Sequence, residues 1–276
     1  MATLTLEKGY HIYYEWVDGD DGKPCLVFLH EGLGCTASWK DFPRSLCRTT
    51  GCPGLSYDRI GYGKSSAAQK SRTIHYLHEA ALRELPQVLE VLLPDRPYIL
   101  VGHSDGGSIA LIHGSERPPL LEGIVTEAAH VFVEPETIEG IRAAEEAFHR
   151  GKLRGLGRYH GDKTDTVFQS WSNTWLSDWF RHWNLEYLLP SILCPVLVVQ
   201  GRDDQYGTQA QVDTILSKVC GEVRSAVLRD CGHAPHSERT QRVLEIVSEF
   251  VLQLAQGGKR TGGGDPAIGP NLSTPS

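Results

Sequence analysis

Ser104 is the residue of this sequence whose surroundings point most directly to chemistry. It is the central residue of Gly102–Gly106, which read Gly-His-Ser-Asp-Gly. The apolar run Pro97–Gly102 precedes it, and a helix-compatible run through Ile112 follows. A sharp turn from a strand into a helix exposes a serine hydroxyl, and flanking glycines relieve the crowding in such a turn. The pattern therefore predicts a nucleophilic serine for acyl transfer.

A serine hydroxyl is a weak nucleophile at neutral pH and needs a histidine base that an acid orients. His233 lies between a strand-like run ending near Leu228 and the final helix, so we expect it on a loop at the edge of the sheet. His236 is the second choice, because it stands at the predicted start of that helix. Asp203 and Asp204 directly follow an apolar strand-like run, and both qualify as the acid on this reasoning.

Acyl transfer also needs hydrogen-bond donors for the developing oxyanion. The backbone N–H of Asp105, the residue after the serine, is one predicted donor. The second is expected in the loop His30–Gly34, where Gly32 is preferred and Leu33 is the alternative. For Glu31, in the same loop, we predict a structural role.

These side chains must be positioned by an alternation of strands and helices. Residues 3 to 18 contain a Leu- and Thr-rich run and the run Tyr10–Trp16, with a turn at Gly9 between them, and predict an antiparallel hairpin. Short apolar runs of the kind buried in parallel sheets follow at Cys25–His30, Pro97–Gly102, Gly123–Val125 and Pro195–Gln200. Apolar residues at helical spacing run over Ile74–Leu92 and Val243–Leu254. The fold class is therefore α/β, a doubly wound and mostly parallel sheet whose ligand site lies at the carboxyl ends of its strands.

Residues 131–190 interrupt this alternation and predict an inserted helical cap on a core formed by residues 1–130 and 191–256. Trp171, Trp175, Trp179 and Trp183 recur every four residues there, which predicts a stripe on one helix. We expect Leu33, Trp171 and Trp175 to line the substrate pocket. Residues 257–276, rich in Gly, Pro and Ser, predict a flexible tail.

Composition narrows the function classes. The formal net charge of −7 and the lack of a basic stripe disfavour a nucleic-acid partner. We read no leader sequence, no apolar stretch long enough to span a membrane, no metal-binding cluster and no phosphate-cradling loop, so we expect a cytoplasmic protein without metal or cofactor. The 7 cysteines include no Cys-x-x-Cys pair, which indicates reduced thiols, and Cys231 is expected in the core despite its closeness to His233. The oligomeric state is left open.

Taken together, these residues resemble the α/β-hydrolase family over roughly residues 10 to 255. The segments that carry the resemblance are His30–Gly34, Asp58–Ser65, Gly102–Gly107, Gly201–Asp204 and Gly232–His233. The resemblance implies Asp204 as the acid, because the acid commonly stands three residues after the strand-end glycine, and it implies His233 as the base. Glu31 departs from the family pattern, which usually has glycine there. Asp58 and Arg59 are expected to brace loops.

Serine as the nucleophile is unlike the aspartate of epoxide hydrolases and haloalkane dehalogenases. His103 is unlike the asparagine found before serine in many carbon-carbon bond hydrolases. The resemblance thus implies a serine hydrolase that cleaves a carboxylic ester or lactone of a small, largely apolar substrate through an acyl-enzyme. Carbon-carbon bond, thioester or amide hydrolysis on the same triad and a non-catalytic small-molecule receptor are the alternatives.

Overall fold

A single eight-stranded sheet organises the chain in the computed structural model, which describes residues 2–257. The strands are β1 (Ala2–Thr5), β2 (His11–Val17), β3 (Cys25–Leu29), β4 (Gly54–Tyr57), β5 (Tyr98–His103), β6 (Leu121–Glu127), β7 (Val196–Gly201) and β8 (Val223–Leu228). Their order in the sheet is β1-β2-β4-β3-β5-β6-β7-β8. Only the pairs β1·β2 and β2·β4 are antiparallel, and the other five pairs are parallel. This confirms the predicted α/β class, the mostly parallel sheet and the hairpin at the start of the chain.

Helices fill the connections between the strands. They are α1 (Phe42–Thr50), α2 (Tyr76–Glu79), α3 (Leu85–Leu92), α4 (Asp105–Ser115), α5 (Pro135–His149), α6 (Gly157–His160), α7 (Thr164–Leu176), α8 (Gln209–Lys218), α9 (Pro235–Glu238) and α10 (Thr240–Gly257). Helices α5, α6 and α7 all lie between β6 and β7, in the stretch that the sequence predicts as a cap. The predicted tail falls outside the described residues from position 258 onward.

The central strands bury both faces, as their continuous apolar runs require. Along β3 the side chains of Leu26 and Phe28 pack with α1 and α10 on one face of the sheet. Those of Cys25, Val27 and Leu29 pack on the other face, with α3, α4 and α8. This alternation with period two fixes the register of the strand. Because these strands pair in parallel, the carboxyl ends of β3, β5, β7 and β8 lie at one edge of the sheet.

The predicted helix over 74–92 is interrupted. Residues Ala80–Glu84 between α2 and α3 adopt a π-helical turn, in which the N–H of Leu85 bonds to the carbonyl of Ala80. Pro86 supplies the physical reason, because it has no N–H to bond back to Leu82 and its ring crowds that carbonyl. Most residues of the predicted apolar face are buried, but Leu82, which lies inside this turn, is exposed.

The prediction that four tryptophans share one helix is wrong. Helix α7 carries Trp171 and Trp175 and ends at Leu176. Ser177 has extended backbone angles, and its hydroxyl bonds the carbonyl of Thr174 at 2.6 Å, which satisfies one of the last free acceptors of the helix. Trp179 and Trp183 lie beyond this end; the first is exposed and the second is buried.

Candidate active site

Ser104 occupies the tight turn between β5 and α4. Its φ of +52° lies in the left-handed region, which non-glycine residues rarely adopt. A Cβ built on Gly102 would lie 2.2 Å from the carbonyl oxygen of Gly106, and one on Gly106 would lie 1.9 Å from the carbonyl oxygen of Leu29. Both positions therefore require glycine, because the backbone segments approach too closely for any side chain.

Three predicted residues form a hydrogen-bonded chain. His233 Nε2 lies 2.9 Å from Ser104 Oγ. His233 Nδ1 lies 2.9 Å from each carboxylate oxygen of Asp204. The serine comes from the end of β5, the aspartate from the loop after β7 and the histidine from the loop after β8. Asp203, the other predicted acid, is exposed.

The Asp204 carboxylate is held by further donors. Its Oδ1 accepts from the backbone N–H of Tyr206 at 2.8 Å, and its Oδ2 accepts from Gln200 Nε2 at 2.7 Å. Burial would raise the pKa of Asp204, but His233 and the backbone N–H of Tyr206 outweigh burial and hold the pKa below its ordinary value. The carboxylate is therefore ionised at neutral pH and can stabilise an imidazolium on His233.

His236, the second-choice base, is engaged elsewhere. Its Nδ1 lies 2.9 Å from Glu127 Oε2, and its backbone N–H bonds the same oxygen at 2.9 Å. The ring of Trp39 covers it at 4.6 Å between centroids. Glu127 is fully buried at the end of β6, so this pair anchors the start of α9 to the sheet.

The predicted oxyanion donors lie in the loop after β3 and at the start of α4. Within residues 2–257, the backbone N–H groups of Gly32, Leu33 and Asp105 form no hydrogen bond. A Cβ on Gly32 would lie 3.3 Å from Cγ of Asp105 and 2.6 Å from Cδ1 of Trp171. The loop after β3 thus approaches both the start of α4 and a tryptophan of α7.

The backbone carbonyl of Glu31 accepts three hydrogen bonds, which hold this loop in place. His30 Nδ1 donates at 2.8 Å, Arg59 Nη2 at 2.9 Å and the N–H of Gly34 at 3.2 Å. The tautomer of His30 follows from its other nitrogen, which accepts from the backbone N–H of Arg59 at 3.1 Å. Burial, helped by the Arg59 charge, holds the pKa of His30 well below its ordinary value, so the ring is neutral. A loop held in this way keeps its remaining N–H groups in fixed positions.

Helix α6 contacts the same loop. His160 Nε2 donates to the carbonyl of Leu33 at 2.9 Å, and His160 Nδ1 accepts from the N–H of Gly63 at 3.0 Å. Asp58 holds the neighbouring turn by accepting from the backbone N–H groups of Thr36 at 2.6 Å and Lys64 at 2.7 Å. Asp58 and Arg59 brace loops, as their sequence context predicts.

Asp105 carries a buried carboxylate beside the predicted oxyanion site. Its Oδ2 accepts from the hydroxyl of Tyr76 at 3.1 Å and lies 3.6 Å from Nη2 of Arg59. Trp175 of α7 in turn donates its indole N–H to that hydroxyl at 3.0 Å. Arg59 supplies the counter-charge that a buried carboxylate needs, and Trp175 ties α7 to the base of the site.

Aromatic rings surround the histidine. The rings of Tyr206 and His130 lie 4.7 and 5.8 Å from that of His233, and Trp175 lies 5.3 Å from His130. A cavity of about 980 Å³ is lined by Arg59, Tyr76 and residues of α7, but its lining includes none of the three triad residues. Its lining does not include Leu33, Trp171 or Trp175, so their role as pocket residues stays a prediction.

Sequence reasoning missed His130, Tyr206 and Gln200. Gln200 ends the apolar run that predicts β7, and Tyr206 lies two residues past Asp204, so closeness in sequence was an available signal for both. His130 follows β6, and no sequence pattern connects it with His233. Its pKa is held below its ordinary value by burial and by the His233 charge.

Comparison with known proteins identifies the family of this chain. A model of the α/β hydrolase family matches residues 26–246. The chain belongs to the α/β hydrolase family.

Individual members of the family show how far the likeness extends. An sn-1-specific diacylglycerol lipase of Mus musculus is 30% identical over 115 residues, which are 41% of this chain and 34% of the lipase. A proline iminopeptidase of Saccharolobus solfataricus is 21% identical over 91% of this chain and 94% of that protein. The crystal structure of an enol-lactonase from Burkholderia xenovorans LB400 superposes with a TM-score of 0.69 at 18% identity, covering 88% of this chain and 97% of the lactonase. The chain thus matches about a third of the lipase, and the lactonase supports the hydrolase fold.

Cys231, two residues before His233, is buried. Burial is the main reason that its pKa rises to about 11, so the thiol is protonated at neutral pH.

Among the helices of residues 2–257, none combines the length and the hydropathy needed to cross a lipid bilayer.

Proposed function

We propose that this α/β hydrolase is a serine hydrolase that cleaves a carboxylic ester or lactone of a small, largely apolar substrate through an acyl-enzyme. The observation that carries the proposal is the chain from Ser104 Oγ through His233 to Asp204, in which both links measure 2.9 Å. A nucleophile within hydrogen-bond reach of a base, itself oriented by an acid, is the arrangement that activates a serine hydroxyl.

In the first half of the reaction Ser104 Oγ attacks the substrate carbonyl carbon while His233 Nε2 takes the hydroxyl proton. The carbonyl oxygen becomes an oxyanion, to which the N–H groups of Gly32 and Asp105 donate. Collapse of the tetrahedral intermediate breaks the bond to the leaving oxygen, which receives the proton from His233. The acyl group stays on Ser104. In a lactone the leaving oxygen remains part of the same molecule.

In the second half a water molecule attacks the acyl carbon, and His233 takes its proton. Collapse of the second intermediate returns the proton to Ser104 and releases the acid. Asp204 keeps the imidazole in the tautomer that presents Nε2 to the serine and stabilises the imidazolium formed in each half. Its lowered pKa supports that role, because the carboxylate must stay ionised.

The surroundings favour a small, largely apolar substrate. Trp171 packs against Gly32, and Tyr206 packs against His233. One aromatic ring therefore lies beside the proposed oxyanion donor and another beside the proposed base. The buried carboxylate of Asp105, close to Gly32, is matched by Arg59 and does not present an isolated charge. Pockets built from such rings with few polar groups bind apolar acyl or ring systems.

A substrate panel tests this proposal. Short p-nitrophenyl esters and simple lactones are assayed with the wild-type protein and with the Ser104→Ala variant. Ser115→Ala is the matched control, because it removes a buried hydroxyl from the far end of the same helix. We expect ester or lactone turnover that falls by about 10⁴-fold or more in Ser104→Ala and persists in Ser115→Ala. Equal turnover by wild type and Ser104→Ala refutes the proposal.

Amide cleavage is a second candidate, favoured by the proline iminopeptidase that matches 91% of this chain. The same triad can expel an amine, because His233 can protonate a leaving nitrogen. Matched p-nitroanilides in the same panel separate the two candidates. Turnover of anilides alone would replace the ester assignment by a peptidase-type one.

A further inference from the structure

His103 contacts the three loops that build the site. It is the last residue of β5, directly before Ser104, and it is 3% exposed. Its Nε2 lies 2.6 Å from the carbonyl oxygen of His233. Its Nδ1 lies 3.5 Å from Oε2 of Glu31, in the loop that carries Gly32. One imidazole thus lies between the nucleophile turn, the histidine loop and the predicted oxyanion loop.

Glu31 is directed inward by its own loop. Its Oε2 accepts from the hydroxyl of Ser38 at 3.2 Å. A Cβ built on Gly34 would lie 2.2 Å from the carboxylate carbon, so the side chain folds back over its own loop and needs glycine there. The carboxylate therefore faces His103.

The charges around His103 favour its protonated form. The carboxylates that face it are Glu31, from the loop after β3, and Glu127, from the end of β6. The other titratable neighbours are the rings of His233 and His236, at 5.2 and 4.9 Å between centroids. Burial alone would lower the pKa of His103, but Glu31, Glu127 and the His233 carbonyl outweigh it and raise that pKa above its ordinary value. Burial would raise the pKa of Glu31, but His103 holds it well below its ordinary range.

We propose that the partly exposed Glu31 and the buried His103 form an ion pair that positions the oxyanion loop against Ser104 and the His233 loop. This inference rests on the proposed function for its kinetic consequence. Neither residue touches the reacting atoms; both act through the backbone of Gly32, Ser104 and His233. The pair gives a role to the glutamate that stands where the family usually has glycine.

The protonation state of His103 decides whether its ion pair with Glu31 exists. As an imidazolium, the ring donates from Nδ1 toward Glu31 and from Nε2 to the carbonyl of His233. When the proton leaves Nδ1, the bond to His233 persists but Glu31 loses its counter-charge. The oxyanion loop then loses the attraction that holds its side chain inward. Activity that depends on the loop should therefore decline as pH rises through the pKa of His103.

The Glu31→Gln variant tests the pair with two readouts. The first is the titration of the His103 ring by NMR, assigned from the signal that is missing in His103→Gln. The second is the rate at which a fluorophosphonate labels Ser104, measured from pH 5 to pH 10. Loss of a neighbouring opposite charge lowers a histidine pKa by about 1 unit or more. We expect both the titration midpoint and the alkaline limb of the labelling profile to move to lower pH by that amount, with roughly tenfold slower labelling at pH 8.

Glu134→Gln is the matched control. Glu134 is also a buried carboxylate, which accepts from Thr208 and Gln211, but it touches none of the three loops. Glu134→Gln should lower the unfolding temperature of the protein but leave both the His103 titration midpoint and the alkaline limb of the labelling profile unchanged. Since Glu31 is a quarter exposed, Glu31→Gln should remain folded, and its unfolding temperature checks this. If that variant unfolds, Glu31→Asp replaces it, with a smaller shift in the same direction.

The outcomes separate the two proposals. An unchanged His103 titration in Glu31→Gln refutes the ion pair. A shifted titration with an unmoved labelling profile refutes its role in positioning the site. Wild-type protein that no fluorophosphonate labels refutes the proposed function, while the NMR titration still decides whether the ion pair exists.

Discussion

Gly32→Ala is the substitution whose effect the structure defines most sharply. The added Cβ would lie 2.6 Å from Cδ1 and 2.7 Å from Nε1 of Trp171, and both distances are shorter than a Cβ atom tolerates to another heavy atom. The indole is buried in α7, so the loop must shift by several tenths of an ångström to relieve the contact. That shift moves the backbone N–H of Gly32 away from the oxyanion. Loss of one oxyanion donor costs about 10²- to 10³-fold in kcat, or about 2.7 to 4 kcal/mol.

The assay is steady-state hydrolysis of the best ester from the substrate panel. We expect kcat to fall within that range while KM changes little, because the donor acts mainly in the transition state. The control is Gly157→Ala in α6, where the nearest atom to an added Cβ is 4.0 Å away. Its kcat should match the wild type.

A second substitution tests whether the contact with Trp171 causes the loss of kcat. Trp171→Leu in the Gly32→Ala background removes the indole atoms that the new methyl group meets. We expect this double variant to recover at least tenfold in kcat relative to Gly32→Ala. Full activity of Gly32→Ala would refute the reasoning, since it would mean that this N–H is not a donor in the transition state.

Three further predictions concern the acid, a buried carboxyl and the thiols. Asp204→Asn should lower kcat by about 10⁴-fold, because the amide no longer stabilises the imidazolium; steady-state kinetics at pH 8 measure this. Burial raises the pKa of Glu84 to about 7, so ionising it costs stability at high pH. Glu84→Gln should therefore raise the free energy of unfolding by roughly 3 kcal/mol at pH 8 and leave it nearly unchanged at pH 4, below both the folded and the unfolded pKa; urea titrations at both pH values decide this. Iodoacetamide at pH 7.5 should alkylate the exposed Cys220 and spare the buried Cys231, and rapid modification of Cys231 in peptide maps would contradict its assignment to the core.

The triad geometry was accessible from sequence because each member sits at the end of an apolar run. Ser104, Asp204 and the region of His233 follow β5, β7 and β8, and parallel strands bring their carboxyl ends to one edge. Their position after a strand left Asp203 and Asp204 equal, and the resemblance to the α/β-hydrolase family selected Asp204. The structure separates them by exposure, since Asp203 faces solvent while Asp204 contacts His233.

The contacts that hold the site were less accessible. The pair of His236 with Glu127 joins residues 109 positions apart, and no local periodicity indicates such a contact. The end of α7 at Leu176 was missed because the tryptophan spacing continues past it, while Ser177 offers the backbone another hydrogen bond. Periodicity reports which face of a helix is apolar, whereas helix ends depend on such local competition.

The measurement that tests the central claim most directly is the site of covalent modification. The protein is mixed with a p-nitrophenyl ester at low pH to slow deacylation, quenched, digested and mapped by mass spectrometry, with Ser104→Ala in parallel. The account predicts one acyl group on the peptide that contains Ser104 and none in the variant. An acyl group on another residue, or turnover without modification of Ser104, would contradict it.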